Sequence, residues 1–295
     1  MYIKSASLLR SSHSFLRNVS TKHPTAIELA FTRYGDPAVD TGIPLVIVHG
    51  LFGQKQNWNS VSKALHHHLK SPVYAIDVRN HGNSPHTESM TYHEAAEDLG
   101  LFLEKVRSET NHSSANLLGH SMGGKIAMRF AIDNKNSGTI NKLIIEDVSP
   151  IGYSSNKGIH KFIAAMKLVD LHRTRKEINH DLEKVIPDTA VRQFILTNLQ
   201  ASGTPGSFMW KCNVNTLDRH VDDLLKFSLP VGSFRGETLF LYGGKSDYLQ
   251  DDHKPAIKCL FPRVEYVPIE GAGHWVHAEK PNEFIAEVVK FLNRN

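Results

Sequence analysis

The five residues Gly119-His120-Ser121-Met122-Gly123 constrain this chain more than any other feature. They follow the apolar run Ala115-Asn116-Leu117-Leu118 and lead into Gly124-Lys125-Ile126-Ala127-Met128-Arg129-Phe130-Ala131, a segment of helical character. A serine between a short strand and a helix, with glycine two positions away on either side, is the G-x-S-x-G turn. In that turn the serine takes a strained backbone conformation and its Oγ stands clear of the sheet. Side chains at positions 119 and 123 would collide where strand and helix converge. The pattern predicts a nucleophile at Ser121, presented above the end of a buried strand.

Around this turn the chain alternates. Apolar runs at Leu45-Val46-Ile47-Val48, 73–78, 116–118, 143–145, 238–242 and 264–267 predict strands, and Ile27 to Thr32 could add an edge strand. Between them lie segments of helical spacing at 58–69, 91–107 and 281–292. Thr91 with Glu94 three residues on forms a capping box for the second of these. Strands alternating with helices predict an α/β fold, a mostly parallel sheet with helices on both faces.

The alternation breaks between about residues 153 and 234. That stretch reads as helices at 159–171, 175–185, 189–199 and 214–227 with no strand among them. Inserted before the last two strands, it would form a helical cap over the carboxyl ends of the sheet. Phe162, Met166, Phe194, Leu199, Phe208, Met209 and Trp210 either line an acyl pocket there or form the cap's own core.

A nucleophilic serine needs a base, an acid and donors for the oxyanion. His274 follows the last predicted strand, in Gly271-Ala272-Gly273-His274-Trp275, shortly before the terminal helix, where a loop can reach over Ser121. His277 flanks it. The backbone N–H groups of Met122 and of Leu51, which follows His49-Gly50, are the expected oxyanion donors. Two carboxylates compete as the acid. Asp247 follows the next-to-last strand, but alignment on Tyr242-Gly243 puts Ser246 in the usual acid position and Asp247 one residue late. Asp147 ends the strand Leu143-Ile144-Ile145, which should neighbour the nucleophile strand.

Five motifs occur in order: His49-Gly50-Leu51-Phe52-Gly53, Asn57-Trp58, Asp77-Val78-Arg79-Asn80-His81-Gly82-Asn83-Ser84-Pro85, Gly119 to Lys125, and Gly271 to His277. Together, over residues 27–293, the chain resembles the α/β-hydrolase domain-containing protein 11 family. That family includes mitochondrial serine hydrolases, bacterial esterases and fungal ethanol acetyltransferases. The resemblance implies the α/β-hydrolase fold. It also implies an acid within Asp-x-Ser-Pro, here Asp147-Val148-Ser149-Pro150. The expected catalytic set is therefore Ser121, Asp147 and His274, with Leu51 and Met122 at the oxyanion. Asp77, Arg79 and His81 are expected to form a structural turn with an ion pair. His66-His67-His68 reads as a solvated helix face, and the H-x-x-x-x-D pattern of His93 to Asp98 as coincidence.

The expected activity is hydrolysis of carboxylic esters or thioesters through an acyl-serine, with a small-molecule acyl donor as the substrate. One alternative is an alcohol O-acetyltransferase that uses the same triad to make ethyl acetate from acetyl-CoA and ethanol. Another is a non-catalytic binding protein on a hydrolase scaffold. No P-loop or dinucleotide fingerprint is present. Cys212 and Cys259 have no Cys or His neighbours at ligand spacing, so no cofactor and no metal are expected. No apolar stretch is long enough to span a membrane.

The net charge of +4 is confined to one end. Lys4, Arg10, Arg17 and Lys22 all precede Glu28, the first acidic residue, and the remainder is neutral, which gives no footing for nucleic-acid binding. The segment 1–24 is basic, Ser-rich and free of acids, and carries Leu8, Leu9, Phe15 and Leu16. It reads as a mitochondrial transit peptide ahead of a 25–295 hydrolase domain.

Overall fold

The computed structural model describes residues 25–36, 38–134, 138–152 and 158–294. The expected transit peptide lies outside them. Nine strands occur among the described residues: β1 (Phe31–Tyr34), β2 (Leu45–Val48), β3 (Val73–Ile76), β4 (Ala115–His120), β5 (Ile140–Glu146), β6 (Leu199–Ala201), β7 (Phe208–Trp210), β8 (Glu237–Gly243) and β9 (Val264–Ile269). Seven form one sheet in the order β1-β3-β2-β4-β5-β8-β9. Only the β1–β3 pairing at the edge is antiparallel; every other neighbour in this sheet is parallel.

Leu45, Val46, Ile47 and Val48 are all buried, because a parallel sheet covered on both faces needs apolar residues at every position. One face packs against α2 (Tyr92–Thr110) and α3 (Met122–Asp133). The other packs against α1 (Asn59–Leu69) and α10 (Pro281–Leu292), through Trp58, Val61, Leu65, Phe284, Val288 and Phe291. The Thr91 hydroxyl accepts from the Glu94 N–H, so α2 starts where its capping box predicts. β3 stops at Ile76, short of the expected Val78, because the Val78 N–H leaves the ladder to donate to His49 Nε2 at 3.0 Å.

Between β5 and β8 lie α4 (Ile159–Leu168), α5 (Arg175–Glu183), α6 (Thr189–Leu196) and α7 (Val214–Leu225). The expectation of an all-helical stretch is incorrect in one place. β6 and β7 form an antiparallel hairpin, pairing Leu199 with Trp210 and Ala201 with Phe208. Two glycines with positive φ, Gly203 and Gly206, make its turn. The helix expected to run to Leu199 ends at Leu196. Asn198 then turns its amide onto the carbonyls of Ile195 and Phe52, tying this segment to the loop after β2.

Strand order reverses between β2 and β4: the chain goes from β2 outward to β3 and returns to β4 on β2's other side. The crevice at the carboxyl ends of such a strand pair is where open α/β sheets bind ligands. After β8, a short α8 (Lys254–Leu260) leads to β9, and α9 (Val276–Glu279) follows the loop that carries His274.

Candidate active site

Ser121 sits between β4 and α3 with φ 52° and ψ −117°, a conformation that L residues rarely adopt. The flanking glycines are required by contact. A Cβ on Gly119 would lie 2.4 Å from the Gly123 carbonyl oxygen. One on Gly123 would lie 2.2 Å from the Val48 carbonyl oxygen, so the neighbouring strand β2, as well as the turn itself, demands glycine there.

Three expected residues meet. The Ser121 hydroxyl lies 3.1 Å from His274 Nε2, and His274 Nδ1 lies 2.6 Å from Asp147 Oδ2. The carboxylate can only accept, so Nδ1 carries the proton and Nε2 is left as the base. Asp147 is fully buried and has φ 48° just past the end of β5. Its Oδ1 accepts the Gly243 N–H at 3.0 Å, and its Oδ2 also accepts the Ser246 hydroxyl at 2.5 Å. Ser246, which occupies the usual acid position after β8, thus serves the acid supplied by the neighbouring strand β5. Asp247 is exposed.

The oxyanion side is built by packing between two loops. The Phe52 N–H donates to His81 Nε2 at 3.2 Å, while Leu51 and Met122 line the same cavity as Ser121. The Asp77–Arg79–His81 turn braces this loop, with a correction to its ion pairing. Asp77 pairs with Lys55, whose backbone N–H it also accepts at 2.7 Å, and Arg79 pairs with Asp98 at 2.6 Å. Burial holds the His81 imidazole down at about 3, so it stays a neutral acceptor for Phe52.

Beneath the three residues lies a second buried set, made of their sequence neighbours. His120 precedes Ser121, Glu146 precedes Asp147, and His277 follows His274 by one turn. His120 Nε2 donates to the His274 carbonyl at 3.0 Å, and His277 stacks on Trp58 with centroids 4.0 Å apart. Burial pushes Glu146 up to about 7 and both histidines down to about 3. The donor atoms of His120, Glu146 and His277 lie within 4.8 Å of one another, a spacing a metal ion could use. In this structure His277 Nδ1 is engaged by Glu146 and His120 Nε2 by the His274 carbonyl.

Above Ser121 is a cavity of about 390 Å³, counting its open mouth, lined by Leu51, Tyr92, Met122, Lys125, Ile159, Val221, Leu224, Leu225 and Tyr248. Its cap wall comes from α4 and α7. Of the seven residues that could either line the pocket or form the cap's own core, none lines this cavity. Met166, Leu199 and Trp210 are buried in the cap, where Trp210 Nε1 donates to the Met166 carbonyl. Phe194 faces Trp275, and Met209 is exposed. Tyr248, not among the expected site residues, stacks its ring on His274 with centroids 3.8 Å apart and fixes the plane of the imidazole. Its place in the loop after β8, two residues past Ser246, was the available signal.

Residues 45–288 match the alpha/beta hydrolase family model. The mouse protein named sn-1-specific diacylglycerol lipase ABHD11 is 38% identical over 260 residues, which cover 86% of this chain and 82% of the mouse protein. The chain is an α/β hydrolase of the ABHD11 family. A probable alcohol acetyltransferase of Saccharomyces cerevisiae is 32% identical, with 96% of this chain and 88% of the yeast protein covered. Among solved structures, a marine microorganism esterase superposes on this ABHD11-family chain with a TM-score of 0.82 at 37% identity, covering 90% of this chain and all of the esterase. No helix among the described residues is long and apolar enough to cross a membrane.

Proposed function

We propose that this α/β hydrolase cleaves carboxylic esters or thioesters of small molecules through an acyl-serine formed on Ser121. The observation that carries this reading is the line Ser121 Oγ–His274 Nε2 and His274 Nδ1–Asp147 Oδ2, at the floor of a largely apolar cavity. His274 takes the Ser121 proton as Oγ attacks the acyl carbon. The Leu51 and Met122 N–H groups receive the oxyanion, and Asp147 stabilises the imidazolium that forms. His274 then protonates the departing alcohol or thiol. Water deprotonated by His274 resolves the acyl-serine in a second round and releases the acid. The relative named as a lipase and the solved structure named as an esterase favour ester substrates. An intact set of three side chains in hydrogen-bonding register speaks against a merely binding role.

The yeast relative favours a second reading of the same intermediate, with ethanol in place of water as acceptor. The two share every step up to the acyl-serine and divide according to which acceptor is held near His274. The expected result is acid from acyl esters without added alcohol and some ethyl ester at high ethanol. Acid accumulating normally with no ethyl ester removes the transferase reading. Ser121→Ala should abolish both products and covalent labelling by a fluorophosphonate. Normal labelling of that variant would overturn the acyl-serine mechanism. The segment 1–24 is proposed to direct the chain to mitochondria, on its composition alone.

A further inference from the structure

The loop after β2 is held from the cap, and the hold runs toward Ser121. A Cβ on Gly50 would lie 3.1 Å from the Ser121 Cβ, so the Gly50–Leu51 peptide passes directly beside the nucleophile. The Gly50 carbonyl accepts from the Gly53 N–H at 2.9 Å and from His49 Nδ1 at 2.8 Å. His49 Nδ1 carries the proton because Nε2 accepts the Val78 N–H. A trans peptide points its C=O and N–H in opposite directions. With the Gly50 carbonyl fixed by two donors, the direction of the Leu51 N–H is therefore fixed as well.

The Gly53 N–H is one side of a peptide whose other side is the Phe52 carbonyl, and that carbonyl accepts from Asn198 Nδ2 at 2.7 Å. Hydrogen bonds thus run in line from Asn198 through the Phe52–Gly53 peptide and the Gly50–Leu51 peptide to the Leu51 N–H, each polarising the next. Two features show that the loop depends on this support. Phe52 has φ 59°, a conformation that a bulky residue keeps only where its surroundings hold it. His81 and Asn198 supply that hold, at the Phe52 N–H and at its carbonyl. Asn198 is buried between α6 and β6, and its Oδ1 has no hydrogen-bond partner among the described residues. A buried acceptor left unpaired is costly, so what this amide contributes is its donor side.

We propose that Asn198, a residue of the cap, is a positioning residue for the oxyanion site: its amide holds the Phe52 carbonyl so that the Leu51 N–H is aimed at the oxyanion that forms when Ser121 attacks. The assignment rests on the acyl-serine reading above and adds a residue to its machinery. Without the Asn198 donor the Phe52–Gly53 peptide turns away, the Gly53 N–H leaves the Gly50 carbonyl, and the Leu51 N–H loses its direction. The oxyanion is absent from the bound substrate and present in the transition state. The loss therefore falls on kcat, with KM nearly unchanged.

Asn198→Leu in the full chain keeps the size of the side chain and removes the donor. It should lower kcat on p-nitrophenyl acetate by about 10–10² and leave KM within about twofold. A trifluoromethyl ketone, whose hemiketal with Ser121 places an oxyanion at the same point, should lose affinity by a similar factor. Lys211→Met controls for a loosened cap. It removes the Lys211 Nζ bond to Gln54 Oε1, which ties the same loop to the cap outside the line of hydrogen bonds. It should change kcat by less than about twofold. An unchanged kcat in Asn198→Leu, a loss carried by KM instead, or an equal kcat loss in Lys211→Met overturns the proposal. If Asn198→Leu does not fold, amide proton signals of the wild type decide. On binding the ketone, the Leu51, Gly53 and Asn198 Nδ2 protons should all move downfield, because strengthening the last bond strengthens those behind it. A Leu51 shift without the other two, or no Leu51 shift, overturns the proposal. Failure of the wild type to react with either the ketone or a fluorophosphonate would instead overturn the acyl-serine reading, and this assignment with it.

Discussion

One carboxylate oxygen of Glu146 accepts two hydrogen bonds from His277, one from the backbone N–H at 2.9 Å and one from Nδ1 at 2.8 Å. The pair joins the residue before Asp147 to the residue one turn after His274. It therefore sets the distance between the two strand ends that must meet at the imidazole, and His120 adds a third tie by holding the His274 carbonyl. All three side chains are buried, so each tie lies in a medium where losing a partner is costly.

Glu146→Ala should free the histidine loop and lower kcat by roughly 10–10² through misplacement of His274, with a smaller change in KM. Glu146→Gln keeps an acceptor oxygen and should retain most of kcat. Steady-state kinetics on both variants check this, with thermal melting as the control for folding. Equal kcat losses in the two variants would show that charge, rather than position, is what Glu146 supplies.

The acid assignment separates by kinetics. Asp147→Asn should cost about 10²–10⁴ in kcat, because an amide cannot hold the imidazole tautomer that leaves Nε2 as the base. Asp247→Asn should change kcat little, since that side chain is exposed. Ser246→Ala should fall between them, at about tenfold, by removing one of the donors that hold the Asp147 carboxylate. A larger loss at position 247 than at 147 would reverse the assignment.

Stability should fall as the medium is acidified, and it should begin to fall at higher pH than carboxylate titration would produce. His81, His120 and His277 are held neutral, at about 3, by burial. In the unfolded chain they protonate near about 6.5, so each contributes stability above that pH that is lost as pH falls toward the folded value. Glu146 acts in the opposite sense. Raised to about 7, it keeps a proton in the native state that the unfolded chain gives up above about 4.3, and its contribution is lost as pH rises to 7. Three histidines against one carboxyl leave a net uptake of protons on unfolding between about pH 6 and pH 5, so stability falls as pH drops through that range. His49, also lowered by burial, adds in the same direction. Denaturant titrations from pH 8 to 5 measure this, and a flat profile would contradict it.

Removal of residues 1–20 should leave ester hydrolysis unchanged, because the catalytic set and the sheet that carries it lie within residues 25–294, anchored from the Ile27 N–H that donates to Asp98 Oδ1 onward. The same deletion should strand the chain in the cytosol when it is expressed in eukaryotic cells. Mitochondrial import of the shortened chain, followed by fractionation or imaging, would contradict the address.

Sequence alone determined what depends on local geometry. The turn at Ser121 was legible because only glycine tolerates the contacts at 119 and 123, and because strand-turn-helix patterning is written in consecutive residues. The bounds of β2 and the start of α2 were legible for the same reason: a run buried on both faces and a capping box are local signals. What joins distant segments was decided only by the tertiary structure. That Ser246 donates to Asp147 instead of the loop after β8 supplying the acid follows from β5 and β8 lying side by side, a pairing of residues nearly a hundred positions apart. The β6–β7 hairpin was hidden because three-residue strands carry almost no periodicity, and their cross-strand partners are not adjacent in the chain. The pocket wall could not be told from the cap's own core for a related reason. Phe162, Trp210 and Val221 are equally apolar in sequence, and only the packing of α7 over the crevice selects Val221, Leu224 and Leu225 to face Ser121.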